Sequence, residues 1–233
     1  MKGATGRVGG GVNGLVHGDG LRDAVRGDAV RRDTEPRATE PRDAEARDTA
    51  PSLAAAPDLS AASAAPAPLA TASALAAELL RRADEDRQLT RQAHADPTPL
   101  RKHRIAQCHR DNGQALAAIV DRHGWPHALL VGSPASTAAL MILLHAPDLG
   151  FRLRCRDLIA HATADGHVPA IHLAYIADQC AVDLGQPQFY GTRINPRTLR
   201  PYPIRRPGSV DERRGDVGLG PLQEQLRALR ITG

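Results

Sequence analysis

All six aromatic residues, Trp125, Phe151, Tyr175, Phe189, Tyr190 and Tyr202, fall between positions 125 and 202 of a 233-residue chain. Large flat side chains supply much of the area a core buries, so the first third has little to fold around. Its composition agrees. A Gly-rich opening runs into a charged repeat, Thr34-Glu35-Pro36-Arg37 echoed by Thr39-Glu40-Pro41-Arg42, and then into an Ala/Pro/Ser stretch over residues 50–70. Such a segment cannot bury enough apolar surface to offset a backbone ordering cost of roughly 1–2 kcal/mol per residue. The sequence therefore predicts a disordered low-complexity extension over residues 1–74 and one folded domain over 75–233. The five-residue repeat is too short for a solenoid.

From Leu75 onward the apolar spacing is helical. Leu75, Leu79 and Leu80 open a helix expected to reach Gln92, bounded by Pro97 and Pro99. A second is expected over 101–123, stopping at Gly124-Trp125-Pro126, where proline fixes φ and the indole can cover the core. Ser133 reads as an N-cap with Pro134 in the first turn. The helix it opens, ending at His145, is apolar on every face and should lie at the centre. Asp148 caps a fourth helix ending at Gly166, Pro169 starts a fifth ending near Gly185, and a short last helix begins near Pro221. Residues 186–208 hold five prolines and should be irregular or partly extended. The fold class expected is mainly α: a compact domain of about five to six helices with an irregular Pro/Arg-rich C-terminal segment. Without a βαβ rhythm or a glycine-rich phosphate loop, Rossmann and P-loop chemistry are not expected.

Apolar runs fall short of the roughly 18 residues a membrane span needs, and the first twenty residues lack a signal-peptide centre. The expectation is a soluble, cytoplasmic protein with no membrane partner. Cys108, Cys155 and Cys180 are odd in number and far apart, which fits reduced thiols. Of 30 basic residues only Lys2 and Lys102 are lysines. GC-rich codon usage produces that arginine excess, so a pI near 9.3 is poor evidence for nucleic acid. Placement is more telling: seven arginines fall between Arg193 and Arg214. Clustered guanidinium groups beside a polar loop suit a carboxylate or phosphate.

Three features could carry chemistry. His145 ends the apolar helix, at the rim of the core, as a general base or a capping residue. Asp178 lies four residues after Ala174 and seven after Ile171, on the buried stripe of its helix, where a carboxylate needs a partner. Gln188, Tyr190 and Thr192 offer amide, phenol and hydroxyl groups around Gly191, which permits positive φ or a close approach. Metal ligation is not expected. Gly124-Trp125-Pro126 breaks the helix that would align His123 with His127, and Gly166 and Pro169 separate His161, His167 and His172. No cofactor is implied.

Taken in order, Asn112, Gly124-Trp125-Pro126, His145-Ala146, Asp178, Gln188-Phe189-Tyr190-Gly191-Thr192 and Arg213-Arg214 resemble a bacterial domain family of unknown function. Its members typically show an Asp/Gln/Arg first helix, a GWP turn, a Gln-His-Ala-Asp helix end, an Asp-Arg pair and a Gln-x-Tyr-Gly-Thr-Gln loop. The resemblance spans residues 79–226 and implies a helical domain in which His145, Asp178, Gln188, Tyr190 and Thr192 converge. This chain departs from the pattern at Leu144, Pro147, Gln179 and Arg193, which implies either an altered substrate or a lapsed site.

The leading expectation is a metal-independent acid–base enzyme of hydrolase or lyase type acting on a small anionic or amide-containing substrate. His145, Asp178 and Tyr190 would be catalytic, and Gln188, Thr192, Arg193, Arg213 and Arg214 would bind substrate. The alternative is a non-catalytic binding module, immunity-type or regulatory, in which the polar residues bond one another. Nucleic-acid binding ranks last.

Overall fold

The computed structural model describes residues 69–232. Among them lie α1 (Leu69–Ala95), α2 (Pro99–His123), α3 (Ala128–Val131), α4 (Ser133–His145), α5 (Leu149–Ala164), α6 (Ala170–Asp183), a two-residue antiparallel ladder of β1 (Ile194–Asn195) and β2 (Arg200–Pro201), a 3-10 turn (Pro207–Ser209), α7 (Val210–Asp216) and α8 (Leu222–Thr232). The protein is mainly helical, as the spacing predicts. All six expected helices are present, and α3 and α7 are additions of four and seven residues, too short to carry a periodic signal. The low-complexity extension lies outside the described residues except for 69–74. Those six residues belong to α1, which starts six residues before the Leu75 at which the spacing opens it.

The helix ends follow from local chemistry, with one correction. Thr98 caps α2 by accepting from Arg101 N at 3.3 Å, and Asp148 caps α5 by accepting from Phe151 N at 3.0 Å. Gly124 ends α2 at φ 70°, a conformation that suits glycine. The cap of α4, however, is Gly132 at φ 81°, and Ser133 is already helical without a side-chain capping bond. Proline still occupies the first turn, where a missing N–H costs nothing.

Helix α4 is central. Leu140, Ile142 and Leu143 are buried, packed with Leu79 of α1, Leu116 and Ile119 of α2, Ile159 of α5 and Ile176 of α6. Each such side chain contributes roughly 1.5–3 kcal/mol by leaving water. Trp125 is buried in the same core. A smaller second core joins Ile194, Val210, Leu222 and Leu226 beneath the C-terminal segment. Cys108, Cys155 and Cys180 are free and buried. Among the described residues no helix is long and apolar enough to cross a membrane.

One glycine sets the packing that matters most for the site. A Cβ on Gly113 would stand 3.3 Å from Ala146 Cβ and 3.8 Å from Pro147 Cδ. Its absence lets α2 lie against the end of α4, so that His109, one turn before Gly113, stacks on His145 with ring centroids 4.6 Å apart.

Candidate functional site

Two buried carboxylates organise the polar interior. The first is Asp86 on α1, on the same helix stripe as Leu79 and Ala83, all three buried. Its Oδ1 faces His109 Nε2 at 3.1 Å and accepts from Thr90 Oγ1 at 3.3 Å, while its Oδ2 faces His145 Nδ1 in a short contact. Burial pushes the Asp86 carboxyl up, but the hydrogen bonds from His109 and His145 outweigh it and hold the group well below the ordinary carboxylate range. An ionised carboxylate only accepts, so His109 Nε2 and His145 Nδ1 are the protonated nitrogens. In the neutral rings His109 Nδ1 and His145 Nε2 are then acceptors. The imidazoles are partly open, with side-chain exposures of 23% for His109 and 15% for His145 against 5% for Asp86.

Around this cluster the helix neighbours are themselves tied. Arg82, one turn before Asp86, donates from Nε to Glu78 at 2.7 Å and from Nη1 to Asn112 Oδ1 at 3.1 Å. Asn112 in turn donates to Cys108 Sγ at 3.4 Å. Burial, with Asp86 nearby, pushes the Cys108 thiol up to about 11, which disfavours the thiolate form. Arg152 of α5 donates to the carbonyl of Ala146, directly after His145, at 2.8 Å and pairs with Asp183 at 3.1 Å.

The second carboxylate, Asp178 on α6, is fully buried, as its stripe position predicts. Its partner is a loop rather than a side-chain cation. Oδ1 accepts from Phe189 N at 2.7 Å and Tyr190 N at 3.1 Å, and Oδ2 accepts from Thr192 N and Thr192 Oγ1, each at 2.9 Å. Gln188 completes the loop internally. Its amide donates to the carbonyls of Arg193 and Tyr202, both at 3.0 Å, and its Oε1 accepts from Arg193 N at 2.8 Å. Gly191 adopts φ 70°, and a Cβ there would press on Ile204 Cδ1 at 3.0 Å and Leu222 Cδ1 at 3.2 Å. The close approach that Gly191 permits is therefore to the second core.

Arg213 and Arg214 are also bound to the chain itself. Arg213 donates to the carbonyls of Phe189 and Arg205 and to Ser209 Oγ, at 2.7–3.0 Å. Arg214, buried, donates to the carbonyls of Gly220 and Tyr190, both at 2.7 Å, and to Gln225 Oε1 at 2.8 Å. Arg193 differs. It is 5% exposed, its guanidinium makes no hydrogen bond among the described residues, and its enclosed Nε is without a partner. Burial pulls its pKa down and Asp183 pushes it up. The phenol of Tyr190 is half-buried, and burial together with Asp178 raises its pKa.

The chain belongs to the family of unknown function DUF6624. Its family model matches residues 74–232. No curated protein and no solved structure matches.

The geometry sorts the sequence-derived residues of this DUF6624 domain into two sets. Asp178, Thr192 and Arg214 meet in one hydrogen-bonded network with the backbone of Tyr190, and Gln188 braces the same loop through the backbone of Arg193 and Tyr202. His145 bonds to Asp86 instead. Asp86 and His109 were not singled out from sequence, although the stripe argument that finds Asp178 applies equally to Asp86. His109, by contrast, needs the α2–α4 approach to become visible. Its neighbour three residues on, Asn112, was the nearest sequence signal. An open groove of about 710 Å³, lined by Phe189, Arg205, Arg206, Glu212 and Arg213 among others, includes none of Asp86, His109, His145 or Asp178.

Proposed function

We propose that this protein is an acid–base enzyme of hydrolase or lyase type acting on a small anionic or amide-containing substrate. The observation that carries the reading is the pairing of partly open His145 with buried, ionised Asp86. In that arrangement the carboxylate fixes the ring with Nδ1–H inward and Nε2 free to take a proton, and it stabilises the imidazolium that results. Proton transfer by a group so placed accelerates a reaction by about 10²–10⁴-fold.

Arg193 supports the anionic half of the reading. A guanidinium keeps its charge in any protein setting, and a buried charge without hydrogen bonds is costly. Arg152 also has an enclosed Nε without a partner. Asp183 and, more weakly, Asp178 are the carboxylates acting on Arg193, and neither hydrogen-bonds its guanidinium, which leaves that fork open to a carboxylate or phosphate. Arg152 further links this region to the helix end bearing His145. Tyr190 retains its phenolic proton as a donor. Gln188, Thr192, Arg213 and Arg214 act at one remove, by shaping the loop whose own groups they bond.

A non-catalytic binding module is the second reading, favoured by the mutual satisfaction of the Asp178 network. Nucleic-acid binding draws the least support, since Arg213 and Arg214 are engaged with backbone carbonyls and Arg193 is buried.

The test is a thermal-shift screen of the full chain against inorganic phosphate, small carboxylates and their amides, followed by turnover of whichever compounds stabilise it. The expected result is an anion response lost in Arg193→Gln, with turnover lost in His145→Gln and Asp86→Asn. A folded His145→Gln protein that retains full turnover overturns the enzyme reading. Stabilisation without turnover of any compound favours the binding module.

A further inference from the structure

We propose that Asp86, His109 and His145 also form a three-ligand site for a divalent d-block cation of the Zn²⁺ or Co²⁺ type. The proposal goes beyond the acid–base reading, because it rests on His109 as much as on the other two.

The three side chains come from α1, α2 and the end of α4, and one ligand atom from each lies within 4.8 Å of the others. Tetrahedral zinc with ligands at 2.0–2.2 Å requires its donor atoms to stand about 3.3 Å apart. Oδ1 of Asp86 and Nε2 of His109 are already 3.1 Å apart. Two imidazole nitrogens and one carboxylate oxygen are the donors preferred by zinc, cobalt, nickel and iron, whereas calcium and magnesium favour all-oxygen shells. The outer shell is also supplied. Thr90 Oγ1 bonds Asp86, and the stacked rings of His109 and His145 restrain each other. Three protein ligands, two of them partly exposed, leave a fourth position for water or an anion.

Binding requires each neutral ring to change tautomer, its proton moving from the nitrogen that faces Asp86 to the opposite ring nitrogen. His145 Nε2 then carries hydrogen and can no longer accept a proton. The cation-bound and proton-accepting states therefore exclude each other, and the ion acts as an inhibitor of acid–base chemistry at His145.

Titration of the metal-free full chain with Co²⁺, followed by its visible absorption, and with Zn²⁺, followed by calorimetry, tests the site. The expected result is one equivalent bound with the intense absorption of low-coordinate cobalt. His109→Gln and Asp86→Asn should each weaken that binding by at least about tenfold, whereas a His127→Gln, His167→Gln double variant should leave it unchanged. Circular dichroism establishes that each variant is folded. Failure of wild type to bind one equivalent, or binding unaffected by His109→Gln, overturns the proposal. His109→Gln keeps the Asp86–His145 pair, so loss of cobalt binding in it is separable from the His145→Gln turnover result that decides the acid–base reading.

Discussion

Asp86 and Asp178 are both buried carboxylates on apolar helix stripes, yet they hold different kinds of partner. Asp178 accepts from four donors of one short loop, three of them backbone N–H groups that cannot titrate or leave. Asp86 accepts from two imidazoles and a hydroxyl. Each imidazole brings a second nitrogen able to exchange a proton. A carboxylate saturated by backbone is a clamp. One facing side chains with spare capacity is a place where chemistry can occur. Burial alone therefore does not distinguish structural from functional acids, and the nature of the donors does.

The comparison can be broken most severely at Asp178. Asp178→Ala leaves four donors without their acceptor and should cost roughly 3–5 kcal/mol in urea unfolding. If the loss is below 1 kcal/mol, Asp178 is not a clamp. Next comes Arg214→Met, which removes three hydrogen bonds from a buried guanidinium and should cost roughly 2–3 kcal/mol by the same measurement. Gly191→Ala should cost roughly 1–3 kcal/mol, combining strain at φ 70° with the 3.0 Å approach to Ile204. A neutral effect would mean that the loop yields.

Asp86→Asn should cost less stability than Asp178→Ala and have the largest effect on turnover. The folded pKa of Asp86 lies below its unfolded value near 4, so its contribution, on the order of 2 kcal/mol, is present in full above about pH 4. It is lost as pH falls through the folded value. Unfolding free energies of wild type and Asp86→Asn should thus differ at pH 7 and draw together in acid. A constant difference across that range would show that folding leaves the Asp86 pKa unshifted, removing the basis for assigning the ring protons.

Much of the local structure was legible because caps and breakers are local. Pro97 and Pro99 separate two helices, Asp148 acts on the next turn, and Gly124 ends the helix it follows, so the six principal helices appear in the spacing. The two short helices α3 and α7 span too few residues for periodicity. The site was half legible. Stripe position marks Asp178 as buried and its helix end marks His145, but both assignments concern one helix at a time. Which carboxylate meets which imidazole is a property of helix pairs. Asp86 and His145 are 59 residues apart in sequence and are joined by the packing of α1 and α4. Similarly, the arginines after Arg193 look alike as a string, whereas in space Arg213 and Arg214 reach carbonyls and Arg193 reaches none.

By itself, then, the sequence determined a mainly helical domain, its central apolar helix and the polar residues that must be buried with it, because hydrophobic periodicity and capping act within a few residues. The tertiary structure decided the pairing. It set Asp178 against backbone and Asp86 against two histidines through the close contact at Gly113, because hydrogen bonds between elements depend on interaxial approach and register, which no single segment encodes.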